Sequence, residues 1–252
     1  MRPVLIQIGE LAIPSYGIML VVSFLIALLF VKRAAKKFNI SSAIIENLAF
    51  YLMLGVIIGG RFLYVIFHWS QFENNILDIF AIWKGGMMFF GGFIGAVFAS
   101  ILYIRKEKMP FLKIADLVAP AIALGHFFTR IGCFLNGCCF GAPSTLPWAI
   151  KFPKECVAGS SAVGAYSLHP TQIYSSLFGL ALFLFLQNKL NKPHKLGEIF
   201  SLYLIFYGIF RFGIDFIRYY EDVANFWINQ IIALGIAIVG SIIFLKSIHK
   251  KN

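Results

Sequence analysis

Acidic side chains are scarce in this sequence: 252 residues hold 11 Asp and Glu against 22 Lys and Arg, and charge of both signs makes up only 13% of the chain. Soluble globular chains carry about 25% charged residues. With 60% hydrophobic residues and a mean hydropathy of +0.82, a water-soluble fold is excluded and the surrounding medium has to be lipid. An internal repeat, a low-complexity segment and a second domain are also missing, as is any C-x2-C pair among the four cysteines. The N-terminus lacks the shape of a signal peptide: Arg2 is its one positive charge, and Lys32, Arg33, Lys36 and Lys37 follow the first long apolar run where a cleavage site would stand. No Lys/Arg stripe alternates with exposed aromatics, so the net charge of +11 does not point to nucleic acid.

What is present is a series of apolar stretches near the ~20 residues needed to cross a bilayer as helix. They run roughly over 14–31, 43–67, 86–104, 115–135, 171–187, 197–217 and 227–245. The expected fold is an all-α integral membrane protein of about seven transmembrane helices, forming a single multi-pass domain over residues 1–252. Basic residues gather in alternate intervals: Lys32 to Lys37, then Arg105, Lys106, Lys108 and Lys113, then Lys189, Lys192 and Lys195, and finally Lys246, Lys250 and Lys251. The positive-inside rule makes those intervals cytoplasmic, with the N-terminus outside and the C-terminus inside. The longest non-helical interval, 136–170, carries Pro143, Pro147 and Pro153 and is expected to be a small outer cap. Trp69, Trp83, Trp148 and Trp227 suit interfacial aromatic belts.

Three arginines fall in or at the end of apolar stretches: Arg61, Arg130 and Arg211. An Arg at a helix centre costs about 2.5–3.5 kcal/mol on insertion scales, so each needs a partner, a wet cavity or a task. The sixth stretch runs outward from Gly197, which places Arg211 about 21 Å along it, in the outer third of a core about 30 Å thick. Arg61 and Arg130 are likewise late in outward stretches, and Tyr16 enters the first from outside. Tyr207, Arg211, Asp215 and Arg218 are spaced to share one helical face, as are His126, Arg130, Cys133 and Gly137. The plainer reading pairs Arg211 with Asp215 and sends Arg61 and Arg130 to interfacial phosphates. A cation cluster at one depth instead suits an anionic head group, which Arg grips with a bidentate fork.

At these residues the chain resembles the prolipoprotein diacylglyceryl transferase family. Ile8-Gly9 followed by Tyr16-Gly17 looks like its opening, and Gly59-Gly60-Arg61 with Tyr64 like its Gly-Gly-Arg segment. Gly85-Gly86-Met87 through Gly91-Gly92 and Gly95 resembles its glycine-rich third helix. Arg130-Ile131-Gly132 with Phe134, Asn136, Gly137 and Gly141 is similar to its signature, and His169-Pro170-Thr171-Gln172-Ile173-Tyr174 to its His-Pro-Ser-Gln-Leu-Tyr. Tyr207-Gly208, Arg211, Asp215 and Arg218 resemble its Tyr-Gly-x-x-Arg-x-x-x-Glu-x-x-Arg helix. The chain departs from the pattern at Phe90, where the family writes a histidine thought important for catalysis. It departs again at Thr129, Cys133 and Cys138, where the signature has Gly, Asn and Glu, and at Ser175, where an acid often stands.

The resemblance implies a transferase of the bacterial inner membrane. It would move the diacylglyceryl group of phosphatidylglycerol to the lipobox cysteine of a prolipoprotein signal peptide, with membrane lipid as its other neighbour. No cofactor or metal is expected, and no nucleic acid. Catalytic roles are expected for Arg211, Asp215, His169 and Tyr16, and substrate contacts for Arg130, Arg61, Asn136, Gly141 and Tyr207. Arg130 and Arg211 would steady the departing phosphate and Arg61 would help organise the site. Asp215 would anchor Arg211 or accept a proton, and His169 would act as base or merely cap a helix. His126 is a candidate for the role left vacant at Phe90, with polar packing as its plainer reading. Cys156 has the option of a disulfide to the Cys133–Cys139 segment, on the oxidising side. Zinc on His126 and three cysteines is disfavoured by the spacing. A paralogue acting on another acceptor, a membrane thiol oxidoreductase and a non-catalytic lipid-binding protein or transporter are the competing readings; a transporter's repeat symmetry is not found.

Overall fold

A computed structural model describes residues 1–8, 11–73 and 75–249. Gly9, of the expected opening motif, and Lys250 and Lys251, of the last basic cluster, lie outside the described residues. Among the described residues each of the seven expected apolar stretches is a helix: α1 Ser15–Lys37, α2 Ser42–Phe67, α3 Phe89–Lys106, α4 Phe111–Asn136, α5 Thr171–Leu190, α6 Glu198–Asp215 and α7 Val223–His249. Six of them are long and apolar enough to cross a bilayer. The seventh, α6, puts Glu198, Arg211 and Asp215 into 18 residues, and that charge sets it apart. A short antiparallel hairpin, β1 Val4–Ile8 and β2 Leu11–Pro14, precedes α1 and was not expected from the sequence. The start of α1 is tied to it, because Ser15 donates from both backbone (2.8 Å) and hydroxyl (3.2 Å) to Pro3 O.

The packing resolves into two compact units, residues 32–114 and residues 1–31 with 115–252. In the first, α2 and α3 meet along two small-residue ladders, Gly55 with Gly59 and Gly91 with Gly95. A Cβ on Gly55 or Gly95 would strike the other's carbonyl, and one on Gly59 or Gly91 likewise. Lipid tails give helices no hydrophobic reason to associate, so contact of this closeness is what holds such a pair together. Between α2 and α3 the chain makes three short 3-10 turns, Trp69–Gln71, Ile76–Phe80 and Ile82–Lys84.

In the second unit α1 and α4 approach at Gly132, where a Cβ would lie 2.8 Å from Met19 Cβ. The Ser23 hydroxyl donates to Gly125 O (3.0 Å) and accepts from Thr129 (3.4 Å), which gives Thr129 an interhelical bond that glycine would not make. Helix α5 is fastened to α4 by Ser176, donating to Phe127 O at 3.0 Å. Helix α7 lies on α6 where Gly208 faces Ala233 and Gly240 faces Leu204. The N-terminus of α6 is capped from a distance: the buried Asp116 carboxylate of α4 accepts from Gly197 N (2.6 Å) and Phe200 N (2.8 Å). Two orphan amides of the helix carrying Arg211 are thereby satisfied.

The interval between α4 and α5 is an irregular cap. Isolated bridges join Gly141 to Arg218 and Leu168 to both Pro143 and Ile150. Phe140, Phe152, Cys156, Ala158 and Leu168 form a small core beneath them.

Candidate functional site

Arg211 is the most heavily braced cation. Its guanidinium meets Asp215 Oδ1 at 3.1 Å, one helical turn on, and donates to Tyr220 Oη and Asn229 Oδ1, each at 3.0 Å. Tyr220 in turn donates to Asp215 Oδ1 at 2.7 Å. Asp215 is buried, and its Oδ2 has no partner among the described residues. An isolated buried carboxylate would be costly, whereas one held by a cation and a phenol is tolerated. Burial and the bond to Asp215 push the Tyr220 phenol above its ordinary range, which keeps it a donor. The expected anchoring of Arg211 by Asp215 is therefore observed as contact. Tyr220 and Asn229 were missed. Asn229 carried a signal, a polar side chain in an otherwise apolar span; Tyr220 carried none, since it reaches the site from the α6–α7 connection.

Arg130 and Arg211 both lie within electrostatic reach of the half-buried His126. The His126 ring meets Tyr207 edge-on at 5.7 Å, Tyr207 stacks on Tyr203, and His126 Nε2 has no partner among the described residues. Arg130 is within hydrogen-bonding reach of Cys139 and has Cys133 and Tyr207 as further electrostatic neighbours. Tyr16, at the head of α1, lies within electrostatic reach of Cys133, Cys138, Cys139 and Arg130. Asn136 ends α4 with its side chain against Cys138. Arg218 lies over the Tyr220 ring at 5.3 Å and within reach of Cys139. Tyr16, Arg130, Asn136, Tyr207, Arg211 and Asp215 thus belong to one connected neighbourhood in the unit built on α1, α4, α6 and α7.

Gly141 and His169 lie in the cap, joined through their backbones. Gly141 N donates to His169 O (3.0 Å), His169 N donates to Ala142 O (3.0 Å), and Ala142 N donates to Ile217 O (2.9 Å). A Cβ on Gly141 would lie 2.5 Å from His169 Cβ and 2.7 Å from Ile217 O, so only glycine fits there. The His169 ring keeps Nδ1 buried without a partner and meets Tyr174 edge-on at 6.3 Å. A general base is normally held by an orienting partner. For His126 Nε2 and His169 Nδ1 none is found among the described residues.

Arg61 belongs to the other unit. It is buried and donates to four backbone carbonyls, those of Ile79 (2.8 Å), Gly85 (2.6 Å), Gly86 (3.0 Å) and Asp78. Phe72 lies 5.1 Å from the guanidinium carbon and Tyr64 5.7 Å. Gly86 takes φ +82°, and a Cβ there would strike the Tyr64 ring at 2.5 Å. The guanidinium, expected to contact substrate and help organise the site, is seen here bonding the α2–α3 connection. Phe90 is exposed beside Phe89.

The four cysteines are free thiols. Cys156, expected as a possible bridge to the Cys133–Cys139 segment, donates to Pro153 O at 3.0 Å and packs its sulfur where a Cβ on Gly137 would go. The other three come together, with all their sulfurs within 4.8 Å of one another. Gly137 (φ +72°) and Cys139 (φ +59°) adopt left-handed backbone and turn the chain back on the end of α4. Thr171 and Gln172, the first residues of α5, clasp the turn by donating to Cys139 O and Cys138 O, each at 2.8 Å.

A family model described as prolipoprotein diacylglyceryl transferase matches residues 3–246. A phosphatidylglycerol–prolipoprotein diacylglyceryl transferase of Clostridium tetani (strain Massachusetts / E88) is 37% identical over 249 residues, covering 97% of this chain and 97% of that one. The protein of the same name from Aliivibrio salmonicida (strain LFI1238) is 36% identical, covering 99% of this chain and 88% of its own. That of Pseudoalteromonas translucida (strain TAC 125) is 38% identical, with 86% and 79% covered.

Proposed function

The chain belongs to the prolipoprotein diacylglyceryl transferase family, and from that premise we propose that it transfers the diacylglyceryl group of phosphatidylglycerol to the cysteine thiol of a prolipoprotein, releasing glycerol phosphate. The observation that carries the reading is the half-buried Arg211, braced by the buried Asp215 and by Tyr220 and Asn229, in the same unit as Arg130. In the reaction the acceptor sulfur attacks the glyceryl carbon while the carbon–oxygen bond to phosphate breaks. The departing oxygen gains negative charge, and preorganised donors aimed at such charge lower the barrier most. Arg130 and Arg211 are assigned to the phosphate. Asp215, Tyr220 and Asn229 hold Arg211 so that its fork need not reorganise. Tyr16, Tyr207 and Asn136 are assigned to the walls around the reacting groups, and Arg61 is assigned to fixing the α2–α3 connection.

We further infer the setting. The chain is a multi-pass membrane protein, and α1, α3, α5 and α7 each end in or beside basic residues: Lys36 and Lys37, Arg105 and Lys106, Lys189, and Lys246 with His249. The positive-inside rule turns those ends to the cytoplasm of a bacterial inner membrane. The cap and the cysteine turn then face the outside, where the lipobox cysteine of a translocated signal peptide would arrive.

The test is transfer in phosphatidylglycerol vesicles with a precursor peptide, read as the mass of a diacylglyceryl group on the peptide cysteine. Transfer to cysteine, and none to a Cys→Ser peptide, is expected. Well-folded protein that transfers nothing, and that fails to support growth of cells depleted of their own enzyme, would remove the reading.

A further inference from the structure

The transfer needs its acceptor as thiolate, and two buried histidine nitrogens, His126 Nε2 and His169 Nδ1, have no orienting partner among the described residues. The structure offers a different means of making a thiolate. We propose that Cys133, Cys138 and Cys139 form a three-thiolate site for a zinc-class ion, with its fourth position taken by the thiol of the acceptor. This rests on the transferase reading above and adds to it the source of the nucleophile.

Three features carry the proposal. The first is geometry. The three sulfurs lie within 4.8 Å of one another, and tetrahedral zinc with Zn–S bonds of about 2.3 Å places sulfurs about 3.8 Å apart, a separation within that bound. The second is preorganisation. The cysteines are held by the left-handed turn at Gly137 and Cys139, by the bond from Cys138 N to Cys133 O (3.0 Å) and by the clasp of Thr171 and Gln172 on two of their carbonyls. A left-handed non-glycine residue such as Cys139 persists only where its surroundings over-determine it. The third is charge. Zinc with three thiolates carries one net negative charge, and Arg130 and Arg218 both lie within electrostatic reach of Cys139.

The ligand count sets the chemistry. Structural zinc is closed by four protein ligands, whereas catalytic zinc takes three and leaves one position open. Among the described residues no fourth His, Cys, Asp or Glu joins the three cysteines. A thiol that coordinates zinc is deprotonated outright. The acceptor therefore binds as thiol, gives its proton to water and remains on the metal as thiolate. That sulfur then forms the S–C bond to the glyceryl carbon as the C–O bond breaks, and the electron pair leaves on the phosphate oxygen of glycerol phosphate. The metal keeps its oxidation state throughout, and the thioether product, a weaker ligand than thiolate, dissociates.

Full-length reduced protein in phosphatidylglycerol nanodiscs, loaded with Zn²⁺ and dialysed, tests the site. About one zinc per chain is expected, with Cys133, Cys138 and Cys139 protected from alkylation and Cys156 unaffected. The wild-type protection pattern needs no variant, so misfolding cannot mimic it. Cys133→Ser, Cys138→Ser or Cys139→Ser should weaken zinc binding at least about tenfold, in the range for lost support of a metal site, while Cys156→Ser keeps it. Loaded with Co²⁺ instead, the protein should show thiolate-to-metal absorption that shifts on adding precursor peptide and not on adding its Cys→Ser form. Sub-stoichiometric zinc, a disulfide among the three cysteines in protein alkylated at lysis, or a cobalt spectrum blind to the peptide each overturns the proposal. Transfer that persists undiminished in metal-free protein overturns it too, and leaves the transferase reading standing. Stoichiometric zinc and a responsive cobalt spectrum without any diacylglyceryl transfer would instead remove the transferase reading and keep the thiol-binding metal site.

Discussion

Arg211 and Asp215 stand one turn apart on α6 and meet at 3.1 Å, and Tyr220 bonds to both of them, at 3.0 Å and 2.7 Å. Removing one member of a buried pair leaves the other uncompensated, at a cost of about 3–5 kcal/mol. Asp215→Ala is therefore expected to lower the thermal midpoint in detergent by several degrees as well as to abolish transfer. Arg211→Lys keeps the charge and loses the planar fork. Its fold should survive while kcat falls about 10²–10³-fold, the scale of a lost transition-state donor. Single-turnover transfer and a melting curve on the same preparation check both; an Arg211→Lys enzyme of normal kcat would exclude the phosphate role.

Tyr220 and Asn229 give a graded version of the same experiment. Tyr220→Phe deletes the donor to Asp215 and the acceptor for Arg211, and Asn229→Leu deletes the other acceptor. Each should cost about 1–3 kcal/mol of stability, the penalty of a buried polar group left unmade. The two losses should be non-additive in a double-mutant cycle, because both act through Arg211.

Cost decides which parts of the site are legible in the sequence. A charge in an apolar run is expensive, so Arg61, Arg130, Arg211 and Asp215 stand out, and helical periodicity alone puts Arg211 and Asp215, four residues apart, on one face. Partners brought in from elsewhere in the chain do not stand out. Asp116 reaches Gly197 from 81 residues away, and Tyr220 sits in a connection. Arg61 is visibly costly, yet its partners are backbone carbonyls, which any sequence has. The cysteine turn is illegible for another reason. Positions 133, 138 and 139 lack the C-x2-C pair that marks many metal sites, and they converge because Gly137 and Cys139 take left-handed backbone. The hairpin is hidden because its short strands merge into the apolar run of the first span.

Arg61 separates a loop-holding role from a lipid-binding one. Its guanidinium serves carbonyls within the second 3-10 turn, at Asp78 and Ile79, and just after the third, at Gly85 and Gly86. A lysine ammonium cannot span that set. Both Arg61→Lys and Arg61→Ala should therefore raise amide exchange through residues 76–88. A variant in which lysine restores both exchange protection and transfer would speak for a simple charge role.

The α2–α3 contact depends on glycine. A methyl group at Gly95 would run into the Gly55 carbonyl, forcing the helices apart where small residues are the reason they touch. Overpacking costs about 1–3 kcal/mol. Gly95→Ala should lower the thermal midpoint, and Gly95→Leu should lower it further, with metal content unchanged because the three cysteines belong to the other unit.

Asp116 offers the last test, since it acts on Arg211 only through the helix that carries it. Its two oxygens accept from Gly197 N and Phe200 N, and a lost N-cap costs about 0.5–2 kcal/mol. Asp116→Asn keeps one acceptor oxygen and should lose about half of the effect; Asp116→Ala keeps none. If α6 transmits the loss as a rigid rod, kcat falls with the cap while the exchange rates near Arg211 stay low. If only the first turn of α6 frays, exchange rises at Gly197 and Phe200 and kcat is unchanged. The Arg211–Asp215–Tyr220 network at the far end favours the second outcome, because its bonds fix that end independently of the cap.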